Sequence, residues 1–295
     1  MKKYLIGNIL VNTVEPREYK LDRLLKNQLI DFFNQTEMLY DVPLNRIRFD
    51  LAETKDGKYK VFELNLRNPI GLFTGYEVLK LWNKKYRSTK KTVMDIFLSK
   101  TAVLIISDNE LENSELRILG IILARNDIEF LAVSPQEAVQ YVDNDDYVIW
   151  FTKATDKLTK YFSGKKNVFG GFIGTKADLI SENYNSELLI SSQILKTRGT
   201  VIPTGKVAKI VSGPRALGGK GVFFEKEVVE FDDMTTLLLQ DEVDYINTID
   251  INVYKLRTDN GIRWGFNSFR RVPGPGAKLA NLSQQNGGYY EVHIN

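Results

Sequence analysis

The 295-residue chain contains no cysteine and a single histidine, His293, third from the C-terminal end. Without cysteine there is no disulfide frame, no thiolate nucleophile and no zinc site built on sulfur. With one histidine, a Ser-His-Asp or Cys-His relay has little to work with. A large excess of charge is also missing: 40 Lys and Arg stand against 37 Asp and Glu. That balance argues against a broadly basic nucleic-acid binder, although a local basic patch stays open. No stretch approaches ~18 consecutive apolar residues, so no membrane span is expected. The opening MKKYLIGNILVNTVEPREYK breaks its apolar run at Asn8 and Asn12 and offers no small-residue cleavage site. It does not resemble a signal peptide, and a cytoplasmic protein is the expectation. No internal repeat, low-complexity tract or long linker interrupts the chain. Its chemistry must rest on carboxylates, Lys, Arg, amides and backbone groups.

Several elements are legible in the pattern. Leu24, Leu25, Ile30, Phe33 and Leu39 keep helical spacing across Leu21–Leu39. RIRFDLAE (46–53) and YKVFELNLRNP (59–69) read as strands, and LFTGYEVLKLWNKKY as a helix that continues over Thr92–Phe97. Strand Val103–Ile106, a helix carrying Leu116, Leu119, Ile122 and Leu123, and strand Glu129–Val133 make a βαβ unit, which predicts a small parallel sheet. DDYVIWF supplies another strand. A helix is expected around Lys176–Leu195, then a strand, a glycine-rich turn and a strand in TGKVAKIVSGPRALGGKGVFFEK. LLLQDEVD, a hairpin turning at Asp259-Asn260-Gly261, and a short last strand complete an α+β chain.

The two early strands carry the sharpest signal. Arg46, Arg48 and Asp50 share one face of the first, and Val61, Glu63 and Asn65 one face of the second. If Asp56-Gly57 is a two-residue turn, Lys55 pairs with Lys58, Asp50 faces Glu63 and Arg48 faces Asn65. Directly opposed Cβ atoms lie about 4.5–5.5 Å apart, so the two carboxylates repel unless a positive charge joins them. Mg²⁺ suits Asp50, Glu63 and the Asn65 amide oxygen, and Arg48 could grip a phosphate sharing that metal. A solvated hairpin face, or local salt bridging with Arg46 and Arg48, is the plainer alternative.

Three further stretches suit a nucleotide. Gly218-Gly219-Lys220-Gly221 could approach phosphates closely, with Lys209 pointing from the preceding strand, although a plain hairpin loop also fits. No Lys-Ser/Thr follows as in a Walker A loop. Gln240, Asp241 and Glu242 at a strand end could hold an adenine edge and ribose hydroxyls, or could simply be a polar terminus. Arg270 and Arg271, followed by Lys278, Asn281, Ser283 and Gln284, suit an anionic substrate or a polar surface loop equally well.

Strand lysine, glycine loop, acidic hinge and a carboxylate–carboxylate–Asn metal set together resemble the ATP-grasp ligases. Their order here, with FELN early and the glycine loop late, resembles the circularly permuted branch typified by the glutathionylspermidine synthetase family. RFDLAETKDGKYKVFELNLRNPIGLFTG, DNELENSELRILGIILARNDIEF and GIRWGFNSFRRV with AKLANLSQQN carry the likeness, in a shortened, synthetase-only form. Lys209-Ile210 stands where that family has Lys-Pro. The resemblance implies a permuted ATP-grasp fold: residues 1–98 with the metal hairpin, a pre-ATP-grasp-like α/β insertion at 99–152, and a nucleotide-binding part at 153–295. It implies Mg²⁺ on Asp50, Glu63 and Asn65, with Arg48 on the transferred phosphate and Arg270 on an acyl-phosphate. ATP would meet Lys209, Lys176 as the second nucleotide lysine, the Gly218–Gly221 lid and Gln240, Asp241 and Glu242. The implied activity is an ADP-forming ligase joining a small-molecule or peptide carboxylate to an amine. A nucleotide-binding but inactive partner protein and a small-molecule kinase are the rivals. No nucleic-acid or membrane partner is expected, and a homodimer is left open.

Overall fold

The structure is a computed structural model. It describes residues 2–6, 9–66, 72–82, 92, 96–97, 100–106, 114–151, 162, 165–169, 179, 184–211, 221–272 and 289–294. β1 (Lys2–Ile6), β2 (Ile9–Thr13) and the short β3 (Arg17–Glu18) open the chain. Next comes α1 (Arg23–Tyr40), the helix expected from its spacing. The Asp22 side chain accepts from the Leu25 N–H at its start, and Asp41 ends it in the left-handed region. β4 (Arg46–Thr54) and β5 (Tyr59–Asn65) form the expected hairpin, followed by α2 (Leu72–Leu81).

A βαβ unit follows as β6 (Ala102–Ile106), α3 (Ser114–Ala124) and β7 (Glu129–Val133), then α4 (Pro135–Ala138), β8 (Tyr147–Phe151) and β9 (Val168–Phe169). These strands make a wholly parallel sheet in the order β7-β6-β8-β9. β10 (Ser192–Val201), β11 (Lys206–Ile210), β12 (Val222–Phe223) and β13 (Val228–Asp241) make an antiparallel sheet in the order β10-β13-β11-β12. β14 (Tyr245–Thr258), β15 (Gly261–Val272) and β16 (Tyr289–Ile294) then join the early strands in an eight-stranded sheet. Its order is β1-β2-β16-β15-β14-β4-β5, with β3 beside β16. The fold is thus α+β and dominated by strands.

Alternation gives the large sheet two different faces. Ile47, Phe49 and Leu51 of β4 and Ile249, Ile251 and Val253 of β14 pack with Leu25, Leu29, Phe32 and Phe33 of α1. On the other face, Tyr254, Leu256 and Val292 pack with Leu72, Phe73 and Leu79 of α2, which itself packs on Leu116, Leu119 and Ile122 of α3. α2 is buried from Leu72 to Leu79, as a helix apolar nearly all round must be. Beyond the reach of α2, this second face turns polar.

One expected element is wrong in kind. Ser192–Leu195 belong to β10, and residues 184–191 before it are irregular, so no helix runs through to Leu195. Tyr184 and Leu188 are spaced like a helix face because both drop onto the α1 core as separate anchors. Lys176 and the Gly218–Lys220 part of the glycine turn lie outside the described residues, as do Lys278, Asn281, Ser283 and Gln284.

Candidate active site

The β4–β5 ladder places Asp50 directly opposite Glu63 and Arg48 opposite Asn65. It reaches that register by a route the residue pattern did not announce. The turn holds three residues, Lys55-Asp56-Gly57, because Thr54 N–H donates to the Lys58 carbonyl and Glu53 pairs with Tyr59. Gly57 takes φ 76°, the left-handed backbone such a turn requires. This shifts the pairing by one residue. A bulge between the Asp50 and Leu51 pairs, with Phe62 as the extra residue, shifts it back.

The row of carboxylates continues beyond the hairpin. Asp250 on β14 stands directly opposite Asp50 on the other side of β4. Arg48 donates to Asp50 through Nε (2.7 Å to Oδ1) and Nη2 (3.0 Å to Oδ2). Arg271 forks onto Asp250 through Nε (2.6 Å) and Nη2 (3.0 Å), and the same Nη2 donates to Asp50 Oδ2 at 2.9 Å. All four side chains are largely buried. Burial alone would raise the Asp50 carboxyl, but the charges and hydrogen bonds of Arg48 and Arg271 hold it below the usual carboxylate range. Burial raises Asp250 above that range; Arg271 works against the rise and Asp50 adds to it.

Glu63 and Asn65 complete the row differently. Among the described residues Glu63 forms no ion pair, and the Asn65 Nδ2 is buried without a hydrogen-bond partner. A buried amide with nothing to bond is costly, and by turning it can present its oxygen instead. Among the described residues no three Asp, Glu or His side chains converge at metal-ligand spacing. The donor set that fits a hard cation is two carboxylates and one amide, Asp50, Glu63 and Asn65.

A second wall comes from the four-stranded sheet. β13 of that sheet and β14 of the large one are joined by residues 242–244 alone, so the two sheets meet at this hinge. Lys209 on β11 is buried, and its Nζ donates to the Phe62 carbonyl at 2.9 Å, with the Phe62 ring centroid 5.4 Å away. A distant stretch of chain thus lands on the bulge residue next to Glu63. Val207, on the Lys209 face of β11, pairs with Gln240, which is buried with its Nε2 unpartnered. Lys55 of the hairpin turn reaches Asp244 of the hinge at 2.5 Å, and the Phe62 and Tyr245 rings meet edge to face.

Other expected residues lie elsewhere. Asp241 alternates to the opposite face from Gln240, where Lys206 pairs with it and lowers its carboxyl. The Glu242 side chain is exposed, and its N–H donates to the Gly205 carbonyl at 2.8 Å. Gly221 is buried, its carbonyl accepting from the Ile210 N–H at 2.8 Å. Arg270 is on the α1 face of β15, opposite Glu291, and does not join the Asp50 cluster. Its neighbour Arg271 does, because successive strand residues face opposite ways. Arg48 turns Nε and Nη2 onto Asp50 instead of holding them free for a phosphate. Sequence reasoning missed Asp250 and the role of Arg271. The signal for Asp250 was present in IDIN, where polar Asp250 and Asn252 alternate with Ile249 and Ile251.

No helix among the described residues is long and apolar enough to cross a membrane. No protein-family model matches the sequence, and no curated protein does. A solved structure from Methylobacillus flagellatus KT, provisionally named a gamma-glutamylcysteine synthetase, aligns with 12% identity at a TM-score of 0.42. The alignment covers 92% of this chain and 85% of that one, a likeness too distant to identify a fold or a chemistry.

Proposed function

We propose that this chain binds Mg·ATP between the large sheet and the four-stranded sheet and uses it to join a carboxylate to an amine, releasing ADP. The ATP-grasp architecture in permuted order belongs to the same proposal. One observation carries it. Lys209 arrives from the four-stranded sheet at Phe62, the residue beside Glu63, which brings the lysine proposed for the nucleotide next to the hairpin carrying Asp50, Glu63 and Asn65. Asp50, Glu63 and Asn65 would hold Mg²⁺, which neutralises phosphate charge when bound. Lys209 would leave the Phe62 carbonyl to meet a phosphate, and Gln240 would offer its unpaired amide to the base. Arg48 and Arg271 keep Asp50 ionised and oriented, so its charge is ready before any ligand arrives. Catalysis of this kind is positioning and charge neutralisation, with no protein nucleophile required.

A second reading rests on one observation as well. Both oxygens of Asp50 already accept from guanidiniums, the arrangement expected of a nucleotide-binding protein that no longer transfers phosphate. ADP release screened against matched pools of acids and amines separates the two. Release that requires both an acid and an amine supports the ligase. Nucleotide binding without release under any pool supports the inactive form. Release with one substrate and a stable phosphorylated product would make it a kinase.

A further inference from the structure

His293 lies on the α1 side of the large sheet, on the opposite face from Asp50. It is 3% exposed, stacks on Tyr19 (ring centroids 4.8 Å apart, interplanar angle 19°), and its Nδ1 is buried without a partner. Arg17 of β3 stands directly across from it in the parallel pairing with β16. Arg270 of β15 stands opposite Glu291, one diagonal step from His293, and its Nε is also buried and unpartnered. Glu291, the one carboxylate in this row among the described residues, meets Arg17 at 3.9 Å. Burial first, then the charges of Arg270 and Arg17, push His293 down to about 4.

Two arginines beside a buried imidazole make a poor resting arrangement. Like charges repel, and each buried nitrogen without a partner costs about 1–3 kcal/mol. An oxyanion removes both penalties at once, because its oxygens accept from all three groups. We infer that Arg17, Arg270 and His293 form a binding site for a small oxyanion, a carboxylate or a phosphate, separate from the nucleotide cleft. Arg17 is 78% exposed on its side chain and gives the anion its entry side. An anion seated there favours the imidazolium, so binding and protonation of His293 reinforce each other.

As the only histidine, His293 gives one imidazole signal set in an NMR spectrum, with no assignment problem. The full chain, without nucleotide, is titrated between pH 3.5 and 7 in phosphate, acetate or chloride at matched ionic strength. Phosphate or acetate should raise the His293 pKa by about one unit or more over chloride. The oxyanion giving the larger rise identifies the class. Arg270→Gln should abolish the rise. Arg17→Gln, at an exposed position that the fold does not need, should shrink it. The same titration in all three salts, or a rise that survives both substitutions, would overturn the inference. None of these outcomes depends on whether Mg·ATP binds.

Discussion

Asp50 and Glu63 face each other, yet they are not equivalent targets for mutation. Asp50 sits in a buried network with Arg48, Arg271 and Asp250. Removing one member of a buried ion network typically costs about 3–5 kcal/mol, because its partners are left uncompensated. Glu63 is half-buried and forms no ion pair among the described residues. Asp50→Asn is therefore expected to lose stability and ADP release together, which says little about chemistry. Glu63→Gln is expected to unfold within about 0.5 kcal/mol of the parent while losing ADP release, as denaturant melts and an ADP assay would measure. At this scale the sequence was informative wherever counting along one hairpin sufficed. Asp50 opposite Glu63 came from that count, although the true turn and the bulge each shift the ladder by one and cancel. Choosing Arg271 over Arg270 needs the β14–β15 register, in which Asp250 meets Phe269 and the odd-numbered residues of β15 share its face. That register could also have been counted from the turn at Asp259-Asn260. Asp50 meeting Asp250 could not, since β4 and β14 lie about two hundred residues apart and only the folded sheet pairs them.

Two departures from regular hairpin geometry cancel in β4–β5. The three-residue turn and the Phe62 bulge each shift the ladder by one, in opposite senses, so the right pairing follows from a wrong turn. The bulge has its own consequence, for its carbonyl is the one that receives Lys209. Gly57 is the residue that the turn demands, with φ 76° and open space where a Cβ would stand. Gly57→Ala should therefore cost roughly 1 kcal/mol from backbone strain alone, lowering Tm by a few degrees while the Asp50–Glu63 pairing holds. Calorimetry reads this directly, and a Tm unchanged or raised would contradict the turn assignment. The misread helix over Lys176–Leu195 has a related cause. Leu188, Leu189, Ile190, Ile194 and Leu195 satisfy a helical period over a short window, although the last two alternate as strand residues in β10. Short apolar runs do not separate the two periods, and tertiary pairing of β10 with β13 decides.

Across the whole molecule, the large sheet is assembled from both ends of the sequence: β1–β5 before the parallel βαβ unit, β14–β16 after the four-stranded sheet. This brings early carboxylates and a late lysine to one place, joined through a hinge of residues 242–244. The resemblance led to the expectation that the early hairpin faces Lys209, and the Lys209–Phe62 hydrogen bond brings the two together, whereas the bulge carbonyl that receives the lysine was not legible in the sequence. The central claim is that the cleft between them holds Mg·ATP on Glu63 and its neighbours. A ligand that binds only the native state adds about 2.7 kcal/mol at a hundred times its Kd, a readily measured rise in Tm. The deciding measurement is the melting temperature of the parent and Glu63→Gln with millimolar ATP, once with Mg²⁺ and once with EDTA. The account predicts a Mg²⁺-dependent rise in the parent that Glu63→Gln loses. A parent Tm indifferent to Mg·ATP, or a rise of equal size in Glu63→Gln, would contradict it.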